Sequence, residues 1–260
     1  MAAKPLGAAT TPTSRDGALV KGRSRPRPNG HQPIISSSGR PRRPDGSDHD
    51  AAAASWQAQL GAGIGQIHLA EGEFVFRDGR NAQIALVHAG VVRVFIATRP
   101  GRDLTMQYAR SGDLIGIAPY LARTNEWNAE AVTEADVSIF TFNDLLRAAA
   151  LNPELPWRIA EDVAKWTTEA MRNIAHDVGH PMRTRVARHL REASLRGPDG
   201  RLVAHISQQR FATSLGTARE VVCRELSGLK GQAVIDSTAG SVTVIDEATL
   251  SRIAAGDPHP

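Results

Sequence analysis

Within residues 219–224 stand two arginines, a glutamate and the chain's one cysteine: Arg219, Glu220, Cys223 and Arg224. A guanidinium can donate two parallel hydrogen bonds to guanine O6 and N7. A glutamate can accept from the cytosine amino group, and each good pair discriminates against a wrong base by about 1–3 kcal/mol. The plainer readings are a helix cap for Glu220 and a solvated ion-paired face for the arginines. Cys223, beside arginines and near a helix N-terminus, is either a small residue fitted to a groove or a thiol favoured for oxidation. A second group, His176-Asp177-Val178-Gly179-His180, approaches the His-Glu-x-x-His spacing of zinc hydrolases. Aspartate is shorter than glutamate there, and Gly179 and Pro181 break the helix that would align the rings. A metal-dependent hydrolase at His176 and His180 is therefore only a remote alternative, and no catalytic residue or metal ligand is assigned.

The elements around residues 207–245 must position the first group. Phe211, Ala212 and Leu215 suit a short helix that stops at Gly216, a residue able to take the left-handed conformation of a sharp helix-turn-helix bend. The spacing predicts that Thr217 caps the next helix with Glu220 completing a capping box, while Val221, Val222, Leu226 and Leu229 form its buried side. Arg219, Glu220, Cys223 and Arg224 then lie on the outer side of its first turns, where a helix entering the major groove meets base edges. Thr217, Ser207 and Gln208 complete the set expected at the DNA. Val234-Ile235-Asp236 and Val242-Thr243-Val244-Ile245 follow as a hairpin, the order of a winged helix-turn-helix.

Upstream, residues 151–179 carry apolar side chains at Ile159, Val163, Trp166, Ala170 and Ile174, with a second stripe at Ala160, Ala164, Met171 and Val178. A helix of about 25 residues, roughly 38 Å long, is predicted. Two stripes imply two partners, its own domain and a second copy of the chain, so it is read as a dimerisation helix. Residues 53–150 instead show short apolar runs separated by turn signals at 71–73, 78–79, 89–90, 100–103 and 111–113, the pattern of a jelly-roll-like β-roll. Residues 180–260 hold the winged unit. The fold class is thus α+β.

Composition sets the bounds. Residues 1–50 carry nine Lys or Arg against four Asp or Glu, a net +5, and the remaining residues net to −1. Overall charge therefore says little about nucleic acid, and a local arrangement must carry that reading. Residues 1–52, rich in Pro, Gly, Ser and Arg, are expected to form a disordered basic tail. No apolar run reaches the roughly 18–20 residues of a membrane-spanning helix, and no signal-peptide layout is present. A single cysteine permits no internal disulfide, and a cytoplasmic location without membrane contact is expected.

From about Ile64 to Ile245 the chain resembles the Crp/Fnr family of bacterial transcription regulators. The resemblance rests on a roll with glycines at 72, 79, 90 and 112, a long helix, a winged helix-turn-helix, and the run Gly216-Thr-Ala-Arg-Glu-Val-Val-Cys-Arg-Glu-Leu226. It implies that the family's base-reading residues fall on Arg219, Glu220 and Arg224. It also implies a homodimer on palindromic double-stranded DNA, with RNA polymerase as a further partner. The effector pocket departs from the pattern: Gly116-Ile117 and Trp127-Asn128-Ala129 stand where cyclic-nucleotide-binding members hold ribose and phosphate, so the pocket is expected to be degenerate and cAMP is disfavoured. Iron–sulfur chemistry is excluded by the cysteine count, and haem at His68 or His88 is not expected, because a histidine on a half-buried strand is more often hydrogen-bonded structure. No cofactor is assigned. The competing class is a ligand- or redox-sensing module that signals through protein contacts without DNA.

Overall fold

The computed structural model describes residues 47–256 apart from 62, 64, 78–82, 100–101, 125 and 239. The basic tail and the turns at 78–79 and 100–101 thus lie wholly or partly outside the described residues. The tail boundary expected at 52 falls inside a helix, α1 (Ser47–Leu60), which buries Ala53, Trp56 and Leu60. One indole and one leucine a turn apart suffice to hold it.

Eight strands follow: β1 (Gly65–Leu69), β2 (Phe74–Phe76), β3 (Ile84–Ala89), β4 (Val92–Arg99), β5 (Arg102–Ala109), β6 (Leu114–Ile115), β7 (Trp127–Ala131) and β8 (Ala135–Phe140). They form two antiparallel sheets, ordered β1-β8-β3-β6 and β2-β7-β4-β5. Alternate side chains from both sheets, among them Val75, Val87, Val94, Ile115, Ala129 and Val137, share one core. Helix α2 (Ile117–Ala122) interrupts the roll, and α3 (Phe142–Leu151) closes it. At the start of α3 the Thr141 hydroxyl accepts from the Asp144 amide, while the Asp144 carboxylate accepts from the Thr141 amide, a complete capping box.

Helix α4 (Leu155–Gly179) is the long helix the spacing predicts, 25 residues in length. Its inner side places Leu155, Ile159, Val163, Trp166 and Ala170 against the roll. Trp166 meets Trp127 of β7 with ring centroids 4.9 Å apart. Its outer side carries Trp157, Ala160, Ala164, Thr168, Met171, Ala175 and Val178 at intervals of three or four residues, none of them charged. Trp157 is 71% exposed, Met171 65% and Val178 84%.

Pro181 ends this run, and α5 (Met182–Ala193), β9 (Leu195–Arg196), β10 (Leu202–Ala204), α6 (Gln208–Ser214), α7 (Arg219–Gly231), β11 (Ile235–Ser237), β12 (Val242–Val244) and α8 (Glu247–Ala255) complete the chain. The sheet order β11-β12-β10-β9 gives the wing. Val186, Leu190, Phe211, Leu215, Val222 and Leu226 are the centre of this unit's core. The fold is α+β: a β-roll, a long helix and a winged helix-turn-helix.

Candidate nucleic-acid interface

The turn between α6 and α7 is set by Gly216, at φ +63°. The Gly216 amide donates to the Thr213 carbonyl and the Thr217 amide to the Ala212 carbonyl, the paired bonds of a Schellman closure. That closure corrects the expected capping box. Because Thr217 is occupied in finishing α6, Ala218 in extended conformation becomes the N-cap of α7, with no side-chain cap. Glu220 therefore stands in the first turn without a Thr217 partner, its carboxylate favoured by the positive end of the helix dipole.

On α7, Val222, Leu226 and Leu229 are buried at intervals of four and three. The opposite face presents Glu220 and Arg224 to solvent, Arg219 is exposed at the first position of the helix, and Cys223 is half-buried beside them. Arg224 touches Glu225 at 3.7 Å while 74% of its side chain stays exposed, so the contact is weak and easily exchanged. Ser227, exposed four residues beyond Cys223, shares this face and was not singled out by sequence reasoning. Lys230 pairs with Asp236 of the wing at 2.8 Å. Of the residues placed at the rim, Ser207 caps α6 by accepting from the Arg210 amide, and the Gln208 Oε1 accepts from the Cys223 thiol at 2.9 Å. Glu220 and Arg224 thus share one outward face, Arg219 is exposed at the start of the same helix, and Ser207 and Gln208 stand at the edge.

A clamp fixes this unit to the roll. Arg210 of α6 pairs with Glu130 of β7 and, at 3.1 Å, with Glu71; Glu130 also accepts from Arg93 at 3.2 Å, and Arg93 reaches Asp103 at 2.8 Å. The Thr105 hydroxyl of β5 also donates to the Ser214 carbonyl at 2.9 Å, while within the winged unit Arg185 donates to the Leu215 carbonyl at 2.6 Å. The sheet and α6 enclose a cavity of about 280 Å³ in which Arg93 and Arg210 are already matched to carboxylates. A guanidinium so paired is a structural strut before it is a ligand group.

The pocket beside α4 is narrow. Gly116, Ile117, Trp127, Val94, Asp162 and Trp166 line a space of about 10 Å³, room for one water at most. Asp162 is the one charged lining residue described, and burial, with Asp113 nearby, pushes its carboxyl up to about 6. Asn128 corrects the expected pocket. On β7 successive side chains point to opposite faces, so Trp127 turns into the pocket while Asn128 turns to the cavity beside α6. His68 pairs with Asp136 at 2.8 Å and His88 with Ser138 at 2.7 Å. The His176 and His180 rings lie parallel with centroids 3.7 Å apart, an arrangement that does not converge two nitrogens on a metal; among the described residues no cluster of three or more metal-ligating side chains occurs.

Comparison with known proteins matches residues 66–150 to the cyclic nucleotide-binding domain and residues 184–253 to the Crp-like helix-turn-helix domain. The chain belongs to the Crp/Fnr family. Among Crp/Fnr relatives, the transcriptional regulator LdrP of Thermus thermophilus is 27% identical over 188 residues, covering 70% of this chain and 93% of LdrP. The cAMP-activated global transcriptional regulator CRP of Salmonella typhimurium is 26% identical over 162 residues, covering 60% and 77%. A crystal structure of a CRP-family transcriptional regulator from Thermus thermophilus superposes with a TM-score of 0.60 at 26% identity, covering 72% and 96%. These matches are transcription regulators, and the chain is a Crp/Fnr-type regulator with a helix-turn-helix DNA-binding domain. No helix among the described residues is long and apolar enough to cross a membrane.

Proposed function

We propose that two copies of this chain join along the outer side of α4 and read a palindromic operator through Arg219, Glu220 and Arg224, without cAMP in the roll. The observation that carries the reading is the division of α7: its apolar side is buried in the winged core while its charged side is open. The uncharged seam from Trp157 to Val178 supports the dimer, since an exposed stripe of that length needs a second surface. Two-fold symmetry would place the two α7 helices in successive major grooves, about 34–36 Å apart. A space of about 10 Å³ facing one carboxylate supports independence from cAMP, because it offers neither volume nor a cation for the phosphate. In keeping with its relatives, the regulator would act in the cytoplasm, and contact with RNA polymerase would follow operator binding.

Selecting bound duplexes from a random pool tests this directly. A palindromic consensus whose half-sites centre one helical turn apart is expected. Recovery of unenriched sequence from a well-folded dimer would instead favour a module acting through protein contacts.

A further inference from the structure

The histidine pair at the end of α4 takes no part in the proposed DNA reading, yet it is built into the joint between the long helix and the winged unit. His180 is the C-cap of α4, and both its amide and its ring Nδ1 donate to the His176 carbonyl, at 3.1 and 3.0 Å. This holds the two rings flat on each other, 8° from parallel. Both rings also grip the last turn of α8. The His176 ring lies against the backbone of Ala254, while its Nδ1 is buried without a partner. The His180 edge lies so close to Gly256 that a Cβ there would come within 2.7 Å of it; Gly256, at φ +83°, is the left-handed cap that ends α8.

We propose that this stack is a proton-sensitive joint, closed when the His176 imidazole is neutral and opened by mild acid. In the neutral form His176 needs one donor, toward Ala254, and one unprotonated Nδ1, which suits a buried nitrogen with no acceptor beside it. Protonation adds a buried N–H with nothing to receive it, and a charge on both rings would set two cations face to face. On balance the groups around the pair disfavour the imidazolium. From α5, Arg188 faces His176 as a permanent cation. From α4 itself comes Asp177, which would favour the imidazolium, but its carboxylate is engaged by Arg188 and by His189 at 3.0 Å. From α8 the contact is backbone, at Ala254 and Gly256. Burial first, then Arg188 and His180, hold the His176 imidazole below its usual range. A group so depressed leaves the native state with fewer protons than the unfolded chain, so its contribution is complete above an unfolded value near 6.5 and is lost as pH falls below it.

Amide hydrogen exchange on the full chain tests the joint without requiring an operator. With rates corrected for intrinsic pH dependence, opening of Glu247–Gly256 is expected to rise about fivefold or more between about pH 7.5 and about pH 5.5, while α3 on the roll stays unchanged. In His176→Gln, whose polar side chain can still reach Ala254 but gains no charge, the rise should vanish. In His180→Phe, where a flat ring remains but the second charge does not, it should shrink; this variant decides the matter if the first does not fold. An equal rise in wild type and folded variants, a rise spread over α3, or no rise in wild type overturns the proposal.

Discussion

The outer face of α7 and the interior of the roll differ in how much of the Crp/Fnr pattern they retain. On α7, Arg219, Glu220 and Arg224 stand exposed while Val222, Leu226 and Leu229 anchor the helix. In the roll, Trp127 and Trp166 fill the space, and the charge beside them is a carboxylate. On the proposed reading, a scaffold keeps its output surface while little room is left in its input pocket. The two depend on different physics: the first needs exposed side chains on a rigid helix, the second an unfilled volume with a compensating cation.

The largest effect on DNA binding is expected from breaking the proposed dimer. Met171→Glu combined with Val178→Glu would face like charges across the α4 seam. Operator affinity should then fall by at least about 100-fold as the two reading heads separate; sedimentation and binding measured together check this. A dimer that persists with unchanged affinity would move the interface elsewhere.

On stability rather than affinity, Trp166→Ala removes the indole that packs on Trp127 and should cost about 3–5 kcal/mol, read by denaturant unfolding. Millimolar cAMP should leave the melting temperature of the wild type unmoved. A clear upward shift would abolish the contrast between the two regions, because ligand binding to the native state must stabilise it.

Arg224→Ala is expected to weaken operator binding by about 1–3 kcal/mol and to relax preference at one base pair per half-site. Equal loss on every duplex would make Arg224 a phosphate contact. Asp162→Asn tests the roll by pH. The native carboxyl titrates near 6, above its ordinary value of 3.8, so the native state holds the proton more tightly than the unfolded chain. Wild-type stability should therefore decline from about pH 4 to about pH 6 relative to the asparagine variant, and the variant should be the more stable near pH 7.

The smallest effect belongs to Cys223. Its thiol donates to Gln208 across the α6–α7 bend, so Cys223→Ser, which keeps a donor, should change affinity by less than about 1 kcal/mol. Peroxide should weaken the wild type and spare the serine variant if the thiol is redox-active. Equal losses in both would assign the cysteine a fitting role only.

Much of this architecture is written in local pattern. The β-branched runs of β3 and β4 and the three-and-four spacing of α4 announce themselves, and Gly216 marks the bend. Strand β7, Trp-Asn-Ala-Glu-Ala, does not, since its alanines are buried by what packs on them and not by any apolar run of its own. Missing that strand's phase is what misplaced Asn128. Helix α8 carried a readable cap, Asp246 accepting from the Thr249 amide, but nine residues with two buried side chains give weak periodicity. The clamp was illegible for a different reason: Arg210 and Glu130 lie 80 residues apart, and only the fold brings them together.

That clamp changes how basic this surface is in practice. Arg210 sits on the helix before the bend, where a positive side chain would ordinarily be counted among those that displace condensed ions from a duplex. Held by Glu130 and Glu71, it has its charge largely matched before any duplex arrives. The logarithmic dependence of affinity on salt should be shallower, by about one ion per subunit, than a tally of arginines around the bend would suggest.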